Sequence, residues 1–390
     1  MLMASDTGSR LISRVHVGGN ALRALRDEWQ RLEALSPTAV LFQSLSWCST
    51  VAGRMEDADL ADIRIFTVSQ DGALVALLPM RLLRKTGRVV LTGLAEPFQE
   101  FTDMLLDPQV NAELAYGFLH ADMLQEKADY IHLGQVRGDS ALARGLADRV
   151  PVAGEVDAAP YVQLSDFKDH AEYLPTVRAK TRKNMRNMKN VMERTAPVTH
   201  VITQNTEETS ALVERTYENR AAWLEERGLN SSSFDDEMFL YILRDLAKLG
   251  DETFRSIGMT LKHGETIIAE MWGFIHNERY YAYMSSWNAE YATKGPGRMH
   301  LGTVVETAFG EGVKSAEFMI PVVPYKQTWA TNEVQVNDHL LAMTFTGHLY
   351  VKAWVDFARP QIKSLAYKMP APMRRGIWAV VNRLRGKQDD

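Results

Sequence analysis

The stretch Tyr291-Ala292-Thr293-Lys294-Gly295-Pro296-Gly297-Arg298 carries the sharpest chemical pattern in the chain. A strand-like run, Tyr280 to Trp287, leads into it, and an apolar-periodic segment with Met299, Val304, Val305 and Ala308 leaves it. Gly295 and Gly297 let the backbone turn tightly and approach a ligand closely. Amides at the start of the following helix would point at whatever sits there, so an anion such as a pyrophosphate is favoured. Lys294 and Arg298 add positive charge beside them. An ordinary strand-to-helix turn needs the same glycines. An elbow whose amides are already bonded within the protein could not grip a ligand.

Other residues have types suited to proton transfer. Glu270 interrupts an apolar run and, by alternation, shares a face with Ile268, Trp272, Phe274 and His276. A carboxylate against aromatics suits a general base near neutrality; a solvent-facing edge position is the alternative. Tyr283, just before the elbow, could protonate a departing thiolate, or it is one more aromatic beside Tyr280 and Tyr281. His263 and His276 fall at turn edges and read as surface histidines. Cys48 reads as a small buried hydrophobe. No activated nucleophile is visible, which predicts direct transfer without a covalent enzyme intermediate.

Two basic segments stand out. Arg178, Arg182, Arg186 and Lys189 line one face of a helix, while Met185, Met188 and Met192 line another. That face is either plainly solvated or a receptor for an anionic acceptor such as a nucleotide-sugar, lipid-linked sugar or lipid headgroup. From His348 to Asp390 nine Lys/Arg oppose three acids, so the segment is +6 and the remaining chain −11. Within it, Ile377, Val380, Val381 and Leu384 form an apolar stripe flanked by Arg374, Arg383 and Arg385. Such a helix lies on an anionic membrane surface or packs on an acidic patch of the protein body.

The elements that must position these groups follow from periodicity. Residues 20–36 predict an amphipathic helix, and Asp71-Gly72 a hairpin turn between two strand-like runs. Arg88–Leu94 reads as a further strand, and 111–127 and 139–148 as helices around the strand Tyr130–Leu133. Pro151 to Pro160 reads as a linker. After the basic helix come a helix over 207–226, a meander turning at His263-Gly264 and Asn277-Glu278, a helix at about 298–312 and the strand Ser315–Ile320. The two hairpins lie about half a chain apart, which hints at a duplicated α/β unit.

The chain has 390 residues, of which 46% are apolar and 24% charged, enough for two domains. One cysteine excludes a disulfide framework and any multi-cysteine metal site. A net charge of −5 argues against nucleic-acid binding through bulk electrostatics. The first residues lack an apolar signal region and no apolar run approaches a membrane span, which predicts a cytoplasmic protein, with the tail as a route to the inner membrane surface.

Four segments together resemble the GNAT-type acyltransferases related to the CelD proteins of cellulose biosynthesis, themselves similar to the FemAB aminoacyltransferases. They are the Phe42–Trp47 segment, the basic run from Lys180 to Arg194, the meander from Ile267 to Trp287, and the stretch from Tyr291 to Trp329. The resemblance spans about residues 20–345. It implies two tandem GNAT-like α/β domains with mixed, mostly antiparallel sheets, at 10–160 and 161–346, followed by the basic tail, 347–390. It also implies acyl-CoA as co-substrate, no metal, and cofactor contacts from Lys294, Gly295, Gly297 and Arg298. Tyr325, Lys326 and Trp329 match the family's YK..W signature; Tyr325 and Lys326 are candidate catalytic residues beside Glu270 and Tyr283. Trp329 joins Arg178, Arg182 and Arg186 as candidate acceptor contacts. Ala292 departs from the usual Gln or Arg at its position, and Met319-Ile320-Pro321 from a usual glycine-containing turn. The implied activity is N-acyl transfer to an amine of a surface-polysaccharide amino sugar or a sphingoid-type lipid. The alternatives are FemAB-like transfer from aminoacyl-tRNA to a peptidoglycan precursor and a non-catalytic nucleotide-sensing or membrane effector.

Overall fold

The computed structural model describes residues 5, 6, 9–85, 87–147, 149–229, 231, 233, 234, 236–250, 254–358, 361 and 362. The tail helix expected around residues 374–385 lies outside the described residues. The chain divides into two units, one of Met1–Val156, Glu225–Asp236 and Gln335–Asp390, the other of Asp157–Leu224 and Glu237–Val334. Residues 225–236 and 335–346 thus leave the segment expected to be the second domain.

The first unit is built on strands β1 (Ser9–Val17), β2 (Ile63–Gln70), β3 (Ala73–Lys85), β4 (Arg88–Gly93) and β5 (Tyr130–Arg137). Neighbours β1 to β4 are antiparallel. Asp71 and Gly72, at φ 51° and 91°, close the β2–β3 hairpin with the primed geometry that matches strand twist. β4 and β5 pair parallel at Val90–Tyr130 and Leu91–Ile131. A parallel pair needs a crossover, here helix α4 (Ala112–Met123), whose Asn111 cap accepts from the Leu114 N–H. The strand Asn332–Ala342 adds antiparallel to β5. The predicted helix over 20–36 is two helices, α1 (Asn20–Ala24) and α2 (Arg26–Leu35), interrupted at Leu25. Helix α3 (Leu45–Ala52) starts on Ser44, whose hydroxyl accepts from the Trp47 N–H. Phe42 and Trp47 meet edge to face at 4.8 Å in the core, so the Phe42–Trp47 segment is packing. Burial pushes the Cys48 thiol far up, as a core hydrophobe requires.

The second unit repeats this order. The latter half of β6 (Val152–Gln163) leads through the basic helix α5 (Ala179–Met192), β7 (Val198–Ile202), and helices α6 (Thr206–Arg227) and α7 (Met238–Ala247). The antiparallel strands β8 (Phe254–His263), β9 (Thr266–His276) and β10 (Arg279–Trp287) follow, then the crossover helix α8 (Pro296–Gly310) and parallel strand β11 (Ser315–Glu317). Asn277 and Glu278, at φ 47° and 57°, make the β9–β10 turn. The core under α8 joins Met259, Met271 and Tyr280 of the sheet to Leu301, Val304, Val305 and Ala308.

Pro151–Pro160 is a strand, not the expected linker. Its backbone groups find ladder partners that no local signal announces. The Pro151 carbonyl accepts from Leu340 in the first unit, and Tyr161–Gln163 pair with Glu317–Ser315 in the second. The prolines fall where a strand tolerates them: Pro151 precedes it, and the Pro160 carbonyl accepts from Phe318.

Candidate functional site

In the second unit β10 and β11 pair at only three positions: Arg279–Ser315, Tyr280–Ala316 and Tyr281–Glu317. β11 then ends, while β10 continues to Trp287, laddered to β9 on its other edge. Along the β11 side, the second half of β10 has no strand partner among the described residues. An unpaired edge offers amide donors and carbonyl acceptors to whatever enters beside it. The departure is built into β10. Trp272 pairs with Met284 and Phe274 with Tyr281, so Gly273 alone stands opposite Ala282 and Tyr283. This bulge bends and twists the strand where it leaves its neighbour. A Cβ on Gly273 would lie 1.8 Å from the Tyr281 carbonyl oxygen, so only glycine fits. Tyr283 lies in the bulge, its ring edge-on to Trp272 and Phe274 at 5.5 Å from each.

The chain leaves β10 through a 3-10 turn, Ala289–Lys294, and enters α8 at Gly295, whose φ of 58° favours glycine. The elbow is not plugged: nothing lies within 4 Å of where a Gly295 Cβ would stand, and the nearest atom to one on Gly297 is in Trp287 at 3.6 Å. The expected row of exposed amides is corrected, however. Gly295 N–H donates to Ala292, the Arg298 and Met299 N–H groups both donate to the Gly295 carbonyl, and Pro296 has no N–H. Among these, the Gly297 N–H alone has no acceptor among the described residues. Arg298 is exposed, and the Lys294 amine stands 4.9 Å over the Tyr291 ring. The elbow therefore offers one amide with two cations, rather than a nest of amides.

Glu270 is not the isolated carboxyl that aromatics would surround. It is 1% exposed in the central strand β9, and Arg215 of α6 grips it with Nη2 at 2.6 Å and Nε at 3.2 Å. Thr260 donates to it at 3.4 Å. With its oxygens engaged by Arg215 and Thr260, its visible work is to position Arg215. Neither sequence alternative, base or solvent-facing edge, anticipated this pair, because Arg215 comes from a helix far away in sequence.

The YK..W residues act on the segment after β11. Lys326 Nζ donates to the carbonyls of Met319, Ile320 and Pro321 at 2.9, 3.2 and 3.1 Å, which clasps the turn containing the cis Ile320–Pro321 bond. Its amine is thus committed to backbone oxygens. Trp329 is buried, its Nε1–H donates to the Arg298 carbonyl at 3.1 Å, and its ring fills the space left by Gly302. It holds the first turn of α8 and has little surface for an acceptor. Tyr325 is more open, and burial pushes its hydroxyl above the usual range while the nearby Arg220 charge pulls it back.

Helix α5 buries Met192 and packs Met185 and Met188 inward, as its periodicity predicts. Arg178 and Arg186 are exposed, whereas Arg182 turns its Nε back to the Val177 carbonyl at 3.0 Å. His263, read as a surface residue, joins elements instead. Its Nε2–H donates to the Met192 carbonyl at 3.0 Å, and the Tyr291 hydroxyl donates to Nδ1 at 3.0 Å. It pins the end of the basic helix to the elbow turn. Sequence reasoning also passed over Gly273, although a glycine inside an apolar strand signals a bulge. Among the described residues no group of His, Cys, Asp or Glu could hold a metal ion, and no helix is long and apolar enough to cross a membrane.

Residues 179–327 match the family model for an acetyltransferase (GNAT) domain. The chain is similar in structure to FemX, with a TM-score of 0.54 at 11% identity over 88% of this chain and 99% of FemX. It is also similar to a conserved protein of unknown function from Bacteroides thetaiotaomicron, with a TM-score of 0.50 at 12% identity over 81% and 97% of the two chains. A tandem GNAT protein from the clavulanic acid biosynthesis pathway matches at a TM-score of 0.44 and 12% identity, over 86% of this chain and 99% of that one. No curated protein sequence matches the chain significantly.

Proposed function

We propose that this chain, whose residues 179–327 match an acetyltransferase (GNAT) domain, is an acyltransferase of the FemAB-related GNAT kind that transfers an acyl group from acyl-CoA directly to an amine. The acceptor is an amino sugar of a surface polysaccharide or a sphingoid-type lipid amine. The observation that carries this reading is the separation of β10 from β11 at a glycine-enforced bulge. There a thioester carbonyl can lie along an unpaired strand edge and accept from its amides. The carrier's diphosphate would fall to the Gly297 N–H, Lys294 and Arg298. Bound there, acyl-CoA supplies the activated carbonyl. The neutral amine nitrogen forms a bond to that carbon and gives up a proton to water, the carbon–sulfur bond breaks, and the sulfur takes a proton from Tyr283, or from Tyr325 if the leaving thiol faces that side, the tyrosine then recovering its proton from water. The exposed α5 arginines, Arg178 and Arg186, suit an acceptor that carries negative charge. Phe345, Leu349 and Phe357, which are 83%, 54% and 71% exposed where the basic tail begins, support contact with an anionic membrane surface.

Binding tests the reading first. Acetyl-CoA or a longer acyl-CoA should raise the melting temperature by mass action on the folded state. Tyr283→Phe should bind the same ligand normally but lower kcat by roughly a hundredfold, since positioned acid catalysis typically contributes that much. Absence of a thermal shift with every acyl-CoA tried would remove the transferase reading.

A further inference from the structure

Helix α6 turns a stripe toward the sheet: Thr209, Leu212, Val213 and Thr216 are buried in its first half. The same stripe continues at helical spacing through Arg220 and Trp223. A position that should carry an aliphatic side chain therefore carries a guanidinium. Two other arginines of α6 and α7 have carboxylate partners: Arg215 binds Glu270 and Arg244 binds Glu214. Arg220 is half-buried, yet no hydrogen bond or ion pair engages it among the described residues. Its guanidinium carbon stands 4.4 Å over the Trp223 ring. A guanidinium held over a ring by its face keeps its in-plane N–H groups for other acceptors. Among the described residues, Tyr325 is the titratable group whose charge bears on it.

A part-desolvated cation without a counter-charge is costly unless a ligand supplies one. A planar, pre-stacked guanidinium recognises carboxylate or phosphate oxygens in two parallel hydrogen bonds. We infer that Arg220, stacked on Trp223 beside Tyr325, is a receptor for an anionic group, carboxylate or phosphate, on the acceptor molecule. This rests on the transferase reading above and narrows its substrate to amines that also carry an acid. Burial works against the charge of Arg220, and a bound anion would offset that cost.

Calorimetric titration of the full chain with phosphoethanolamine, β-alanine and ethanolamine tests the assignment. At least one of the two acidic amines should bind roughly tenfold or more tighter than ethanolamine, the scale of one charge-assisted contact. The tighter of the two identifies phosphate or carboxylate. Arg220→Gln should abolish the difference, and Arg220→Lys should restore part of it, with circular dichroism confirming that both variants are folded. Equal binding of acidic and neutral amines, or a preference that survives in Arg220→Gln, would overturn the inference. So would loss of acetyl-CoA binding in Arg220→Gln, which would give the site to the donor's phosphates. Acetyl-CoA titrated into the unaltered chain reports on the transferase reading separately, because its absence leaves the acidic-amine comparison intact.

Discussion

Glu270 and Arg215 share one ion pair but not one environment. The carboxylate side chain is 1% exposed and the guanidinium 42% exposed. Removing the arginine strands a buried charge, whereas removing the carboxylate leaves a cation that water still reaches. Arg215→Met should therefore cost about 3 kcal/mol of stability and Glu270→Gln only about 1 kcal/mol. Urea midpoints of the two variants check the order, and equal losses would contradict it. Glycines divide in the same way. At Gly273 any side chain collides with the Tyr281 backbone, while the space around Gly297 would admit a methyl group.

At the scale of elements, the start of α8 is held from two sides. Trp329 holds the Arg298 carbonyl and presses its ring onto Gly302, and His263 ties the elbow turn to α5 through Tyr291. A Cβ on Gly302 would meet the Trp329 ring at 2.4 Å, but one on Gly310 of the same helix meets nothing. Gly302→Ala should cost about 1–3 kcal/mol through overpacking and should weaken acyl-CoA binding by tilting the elbow. Gly310→Ala should be neutral or stabilising by up to about 1 kcal/mol. Melting temperatures together with acetyl-CoA titrations separate the two. Lys326 belongs to this scale as well: it fixes the path of the chain after β11 and with it the position of Tyr325.

For the whole molecule, acid sensitivity follows from histidines held neutral. Burial depresses the pKa of His300 to about 3, and His16, His120 and His200 are lowered for the same reason. Below the ordinary histidine value of 6.5 the unfolded chain takes up protons that the folded chain refuses, so stability falls as pH drops from 6.5 toward 3. His300 contributes up to about 1.4 kcal/mol per pH unit in that window. His300→Asn keeps a donor for the Met259 carbonyl without the titration. Its stability deficit against the natural chain should shrink between pH 6.5 and 4.5, as chemical denaturation would show; a constant deficit would contradict the neutral state. Asp103 acts in the opposite sense. Burial raises it to about 7, so its folded form gains a proton over the same range and its contribution weakens as pH rises from 3.8 to 7.

Local chemistry was enough to place many of the elements. Hairpin turns at Asp71-Gly72 and Asn277-Glu278, the methionine stripe of α5 and the glycine elbow all follow from neighbouring residues, because backbone sterics and helical period act over a few positions. The duplicated order of strands and crossover helix followed from those same signals. Partners brought from far along the chain decided the rest. Pro151–Pro160 became a strand because Leu340 and Ser315–Glu317 supply its hydrogen bonds. Glu270 became an anchor because α6 delivers Arg215, and the elbow lost most of its free amides to a turn closing on Gly295. The sequence determined which groups could do chemistry; tertiary packing decided which are still free to do it, since a charge or an amide is available only where folding leaves it without a partner.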